Sequence, residues 1–250
     1  MSLKAVFFDL DGTLLDSAPD FFVAMHQLMD EYQQPRVDEA SIRATVSDGG
    51  RALTTLGFGL DVGDDGFDER HQRLLDIYAE HMGQHCVLFP GIDTLIRQLK
   101  SASLFWGIIT NKPARFTDPI MASVTLPAHP HLVICPDHVS NAKPDPEALI
   151  LACNKVGCTP AEAIYVGDHQ RDIDCGIRAG SPTIAVTFGY TKTVDDILSW
   201  NADYIAHNSE DIWAAVQDYT NHDANKNINN RQVNELYMNK VPINKVPMNK

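Results

Sequence analysis

One stretch near the start of the chain constrains the fold more than any other: Phe7-Phe8-Asp9-Leu10-Asp11-Gly12-Thr13-Leu14-Leu15-Asp16. Residues 3–8 make a short run rich in Val and Phe, which reads as a buried strand. The run stops at an acid, a second acid follows two residues on, and Gly12 then permits a turn. Side chains alternate faces along a strand, so Asp9 and Asp11 can point the same way. Two carboxylates so close repel unless a cation or a proton sits between them. In open α/β sheets the site lies beyond the carboxyl ends of the strands. The stretch therefore predicts a Mg²⁺-type oxygen site at a strand tip.

The segments that follow divide the chain. Residues 17–85 read as helical throughout, with helices over 17–34, 38–46, 52–60 and 68–84. Ser17 is the expected cap of the first, Pro19 sits where a first-turn proline is tolerated, and Pro35 is its expected stop. From residue 88 the pattern changes. Apolar runs at 105–110, 132–135, 163–166, 183–187 and 204–206 read as strands. Helices are expected over 92–101, from Pro113, and over 146–156, 170–179 and 209–218, with Gly180 closing the fourth. Strands alternating with helices imply an α/β fold with a parallel sheet covered on both faces. Its core takes residues 1–16 and 86–218, and residues 17–85 are an all-helical insertion placed directly after the acid-tipped strand. An insertion there can act as a lid. Residues 219–250 are rich in Asn and Lys with little apolar content, and read as a disordered tail.

Bulk properties exclude several functions. A chain of 250 residues, 44% hydrophobic, can bury a sizeable core. Its formal net charge of -13 argues against a nucleic-acid partner. It has five cysteines, an odd number, with no CxxC pair, which points to reduced thiols and not to a disulfide scaffold or zinc ribbon. No signal-peptide core or membrane-length apolar run stands out, so the expected location is the cytoplasm, with no membrane partner. A monomer or a homodimer fits equally.

Four segments at or just beyond strand ends carry the chemistry: Asp9-x-Asp11; Thr110-Asn111; Lys143-Pro144-Asp145-Pro146; and Gly167-Asp168-His169-Gln170-Arg171-Asp172. By the switch-point rule all four can converge on one sheet edge. A phosphate monoester is dianionic and repels an attacking carboxylate, and Mg²⁺ between them removes that repulsion. Asp9 is the expected nucleophile, forming an aspartyl-phosphate. Asp11 is the expected acid and base, first for the leaving alcohol and then for the attacking water. Asp168 and Asp172 complete the metal shell, and Lys143 is a point charge for phosphoryl oxygens. Gly12, the Thr110 hydroxyl and the Asn111 amide or backbone N–H make up the phosphate-binding set.

These segments, as DLDGTLLDS, TNKP, KPDP and GDHQRD, resemble the haloacid dehalogenase-like hydrolase superfamily over residues 4–218. The helical insertion is similar to the small cap of its phosphoglycolate phosphatase group. The resemblance implies a Rossmann-like core, a Mg²⁺ cofactor, the roles just given, and the Asp11 backbone carbonyl as a further metal ligand. Ser or Thr often follows GD in that group, whereas His169 stands here. The segments 105–113, 134–139 and 140–146 also resemble a bacterial branch that dephosphorylates N-acetylmuramic acid 6-phosphate. Arg51, in the turn from Ser47, is a candidate for a substrate carboxylate, which phosphoglycolate and muramic acid both possess. The expected activity is Mg²⁺-dependent hydrolysis of a small phosphomonoester. Its rivals are a sugar phosphomutase of the same superfamily and a non-catalytic binding member.

Overall fold

A computed structural model describes residues 2–190 and 193–222. Six parallel strands form its sheet, in the order β5-β4-β1-β6-β7-β8. They are β1 (Ala5–Phe8), β4 (Phe105–Ile109), β5 (Val133–Ile134), β6 (Ala163–Gly167), β7 (Thr183–Val186) and β8 (Tyr204–Ala206). The first strand lies at the centre, with Phe7 paired to Gly107 on one side and Tyr165 on the other. Chain connections run outward in both directions from β1, so the crevice for a site opens at its carboxyl end.

The strands are apolar because both faces are covered. Period-two alternation divides their side chains. Val6, Phe8, Trp106, Ile108, Ile164 and Val166 join the larger core cluster. Ala5, Phe7, Ile109, Ala163 and Tyr165 face the other way, against α7 (Glu147–Val156) and α8 (Gln170–Ala179). The remaining outer helices are α5 (Ile92–Ser101), α6 (Ala114–Ser123), α9 (Val194–Ser199) and α10 (Ser209–His222).

Between the sequence-adjacent strands β2 (Leu15–Asp16) and β3 (Val87–Leu88) run four helices: α1 (Ala18–Glu31), α2 (Glu39–Thr45), α3 (Gly50–Phe58) and α4 (Phe67–His81). Phe21, Ala24, Met25, Leu28 and Met29 give α1 a buried stripe at helical spacing, and α4 answers with Leu74, Ile77 and Tyr78. The Phe21 and Tyr78 rings stack with centroids 4.0 Å apart, a contact worth about 1 kcal/mol beyond its buried area. Asp20 is fully buried and accepts from Gly83 N at 2.6 Å, His85 N at 2.8 Å and Cys86 Sγ at 3.0 Å. It fixes the chain's return from the helices to the sheet.

Several expectations need correction. Ser17 does not cap α1 with its side chain, because its hydroxyl donates to Asp11 instead. The first helix ends at Glu31, short of Pro35, where Gln33 takes a positive φ of 54°. Strands β2 and β3 pair antiparallel, Leu15 with Leu88 and Asp16 with Val87, where no strand was expected. Helix α9 was also unforeseen, and α10 runs to His222, past the expected boundary at 218. The rest of the expected tail lies outside the described residues. Among the described residues no helix is long and apolar enough to cross a membrane. All five cysteines are free thiols, and four of them are buried.

Candidate active site

The acid-tipped strand delivers its carboxylates to the centre of the sheet's carboxyl edge. Asp9 donates its backbone N–H to Val166 O at 2.9 Å, which holds it against β6. Gly12 turns the chain with φ +82°, and a Cβ there would overlap the Asp168 carboxylate. Gly167 has the same function beside Asp172, where a Cβ would meet that carboxylate. Glycine is needed at both places because the backbone passes directly over an acid.

Three carboxylates and one ammonium make the buried centre. Lys143 Nζ lies 2.9 Å from Asp9 Oδ1 and 2.7 Å from Asp172 Oδ1, and donates to Ile109 O at 2.9 Å. Asp168 accepts from Thr13 Oγ1 at 3.3 Å, Ser47 Oγ at 3.2 Å and Tyr190 N at 3.0 Å. Burial, then the charges of Asp9 and Asp172, push the Asp168 pKa up to about 8. Burial also pushes Asp9 up, to about 6, with Lys143 acting against it. On Lys143 burial works against the charge, but Asp172 and Asp9 outweigh it, and its pKa is raised.

Oxygens of Asp9, Asp168 and Asp172 all lie within 4.8 Å of one another. Hard oxygen donors, and three acids facing a single lysine, fit a Mg²⁺-type cation. The Asp11 carboxylate does not join this group. It pairs with Lys112 Nζ at 3.1 Å and accepts from the Ser17 hydroxyl. The Asn111 side chain is likewise directed elsewhere than onto a phosphate: its Nδ2 donates to Lys143 O at 2.9 Å and its Oδ1 accepts from Lys143 N at 3.0 Å. That reciprocal pair locks the two loops together. Thr110 is buried, and its hydroxyl accepts from Lys112 N at 3.1 Å.

A cavity of about 460 Å³ opens in front of Asp9 and Asp11. The helices between β2 and β3 supply one wall with Phe21, residues 46–51, His71, Leu75 and Tyr78, and the loop from Thr110 to Phe116 supplies the other. Arg51, in the first turn of α3, is exposed on this wall, outside the carboxylate centre. Arg171 donates to Ser47 O, so the helix that carries Asp172 also grips the turn above it. His169 caps α8 through Nδ1, which accepts from Arg171 N at 3.1 Å. Sequence reasoning did not single out Lys112, Arg115 or Tyr190. For Lys112 a signal existed, since it follows directly on a strand-tip Thr-Asn.

Comparison with known proteins accords with this geometry. The sequence pattern of the haloacid dehalogenase-like hydrolases matches residues 6–186. The N-acetylmuramic acid 6-phosphate phosphatase of Pseudomonas putida is 43% identical over 205 residues, 82% of this chain and 92% of that protein. A phosphoglycolate phosphatase of Xanthomonas campestris is 34% identical over 211 residues, 84% of this chain and 95% of its own length. A solved haloacid dehalogenase-like hydrolase from Streptococcus pneumoniae superposes with a TM-score of 0.73 at 25% identity, covering 85% of this chain and 98% of that one. With the four motif segments gathered at one sheet edge and the pattern matched over most of its length, the chain belongs to the haloacid dehalogenase-like hydrolases.

Proposed function

We propose that the protein is a Mg²⁺-dependent phosphatase that hydrolyses a small phosphorylated metabolite through an aspartyl-phosphate on Asp9. The observation that carries this reading is the buried trio of Asp9, Asp168 and Asp172 closed by Lys143. Asp9, Asp168 and Asp172, with the Asp11 carbonyl, would hold the cation, which when bound offsets the repulsion between carboxylate and phosphoryl group.

The chain's own groups do the rest. Asp9 attacks phosphorus, and its oxygen gains the bond that the leaving alcohol loses. Lys143, pinned by Ile109 O and two carboxylates, keeps Asp9 ionised and faces the phosphoryl oxygens. Backbone N–H groups at Asn111 and around Gly12, with the Thr110 hydroxyl, bind the same oxygens. Asp11 gives its proton to the leaving oxygen and later accepts one from the water that cleaves the acyl-phosphate. Lys112 and the Ser17 hydroxyl hold that carboxylate at the cavity's edge. Residues 17–85 act as a cap that excludes water, with the Ser47 turn lying on Asp168.

The names of the relatives support two candidate substrates, N-acetylmuramic acid 6-phosphate and 2-phosphoglycolate. The test is phosphate release from each, with and without Mg²⁺, for wild type and Asp9→Asn. Release that needs Mg²⁺ and disappears in the variant is the expected result. Turnover that survives Asp9→Asn would remove Asp9 as the nucleophile.

A further inference from the structure

The cavity in front of Asp9 and Asp11 holds more basic charge than a phosphoryl site needs. Lys143 is engaged by Asp9 and Asp172, Lys112 by Asp11, and Arg171 by Ser47 O. Arg51 and Arg115 are not engaged: both line the cavity, and among the described residues neither has an ion-pair partner. Both are exposed in the cavity, where an arriving anion can reach them. They come from opposite walls, Arg51 from the first turn of α3 and Arg115 from the first turn of α6. His71 lies between these influences. Burial, then the charge of Arg51 and more weakly that of Arg115, lower its pKa, against Gly50 and Asp68.

Two further observations give the size and character of what fits. Phe21 and Leu75 on one wall and Phe116 on the other give the cavity apolar surface, and the Arg115 guanidinium lies 4.6 Å from the Phe116 ring centroid. Tyr78 is 1% exposed and lines the same cavity, with the Lys112 ammonium as its polar neighbour. At about 30 Å³ per water, the cavity of about 460 Å³ equals about fifteen water volumes. A two-carbon acid phosphate would leave most of it filled with solvent.

We propose that Arg51 and Arg115 form a two-sided clamp for a carboxylate on the leaving group, and that the substrate is a carboxylated sugar phosphate and not a two-carbon acid phosphate. The clamp deepens the phosphatase reading and rests on it. The phosphoryl group sits at Asp9, the sugar's apolar face lies on Phe21 and Phe116, and the carboxylate lies between the arginines. Because one arginine comes from each wall, the carboxylate also draws the walls together.

The experiment compares N-acetylmuramic acid 6-phosphate with N-acetylglucosamine 6-phosphate, the same sugar phosphate without the lactyl carboxylate. The full chain is assayed with Mg²⁺ as wild type, Arg51→Ala, Arg115→Ala and Arg115→Lys, with p-nitrophenyl phosphate and Asp9→Asn as controls. Both arginines are exposed, so the variants fold, and thermal melts check this. Wild type is expected to prefer the carboxylated sugar. Each alanine variant should shrink the kcat/KM ratio between the two sugars by about tenfold to a hundredfold, the worth of a charged hydrogen bond. The change should lie in KM, and Arg115→Lys should recover part of it. An unchanged ratio in both alanine variants, or faster turnover of 2-phosphoglycolate than of the carboxylated sugar, would overturn the clamp. If p-nitrophenyl phosphate is still hydrolysed and Asp9→Asn abolishes that, the phosphatase reading stands without it. No Mg²⁺-dependent release from any substrate would overturn both.

Discussion

Thr13, Ser47 and Tyr190 donate hydrogen bonds to Asp168, burial and two neighbouring carboxylates oppose its charge, and its pKa of about 8 is the net result. The sign of the consequence follows from linkage. In the unfolded chain an aspartate titrates near about 3.9, so between there and about 8 the folded protein keeps a proton that the unfolded chain has lost. Stability is therefore greatest at low pH and is lost as pH rises toward the folded value. Asp9 acts with the same sign up to about 6. In a chelator, the Tm is expected to fall by about 5 °C between pH 5 and pH 8, and Mg²⁺ should raise it more at pH 8 than at pH 5. A melt series that is flat, or that rises with pH in the chelator, would contradict the assigned shifts. Lys143→Ala removes the ammonium that Asp9 and Asp172 share. Leaving those acids uncompensated should cost about 3–5 kcal/mol, read in a denaturant titration at pH 7, with Mg²⁺ recovering part of the loss. Phosphate release should fall by about a thousandfold, a larger effect than the lost stability alone would give near room temperature.

The turn after β1 makes a separate demand. Gly12→Ala must both hold φ near +82° and place a methyl where the Asp168 carboxylate lies. The left-handed backbone alone costs about 1–2 kcal/mol, and displacement of Asp168 should remove the Mg²⁺-induced rise in Tm, which calorimetry would detect. How far these elements were readable depended on their length and their chemistry. The central strands were legible because each is an apolar run ending at an acid or a Thr-Asn. β2 and β3, two residues each, are too short to carry any alternation, and the six-residue α9 holds less than two turns of pattern. Residue types at the site were legible, but their directions were not. Nothing in TNKP says that the Asn111 amide closes on the Lys143 backbone, or that Ser17 leaves its helix to reach Asp11, because both partners are distant in sequence or compete with a local option. Arg115 was overlooked for a related reason: an exposed arginine in a helix's first turn gains meaning only when the opposite wall is in view.

Across the whole chain, polar ties join the sheet and the helical block at Asp16 as well as at Asp168. Arg43 on α2 reaches Asp16 with two hydrogen bonds of 2.9 Å, and Tyr190 donates to the same carboxylate at 3.0 Å. Its guanidinium also lies 5.5 Å from the Phe22 and Tyr190 ring centroids. Because the pair is partly open to solvent, Arg43→Ala should cost only about 1 kcal/mol. It should nevertheless increase protease cutting near β2 and β3 more than it lowers Tm, and equal effects on the two would argue against a hinge there. The ribbon itself has a wider meaning. Leu15 pairs with Leu88 and Asp16 with Val87, so the chain leaves the sheet and returns to it through one doorway. A segment whose two ends already touch can be exchanged as a cassette without rethreading anything else. Lineages could therefore trade one helical block for another above an unaltered set of acids, changing what is admitted while the reaction stays the same. An engineer could make the same cut between Asp16 and Val87.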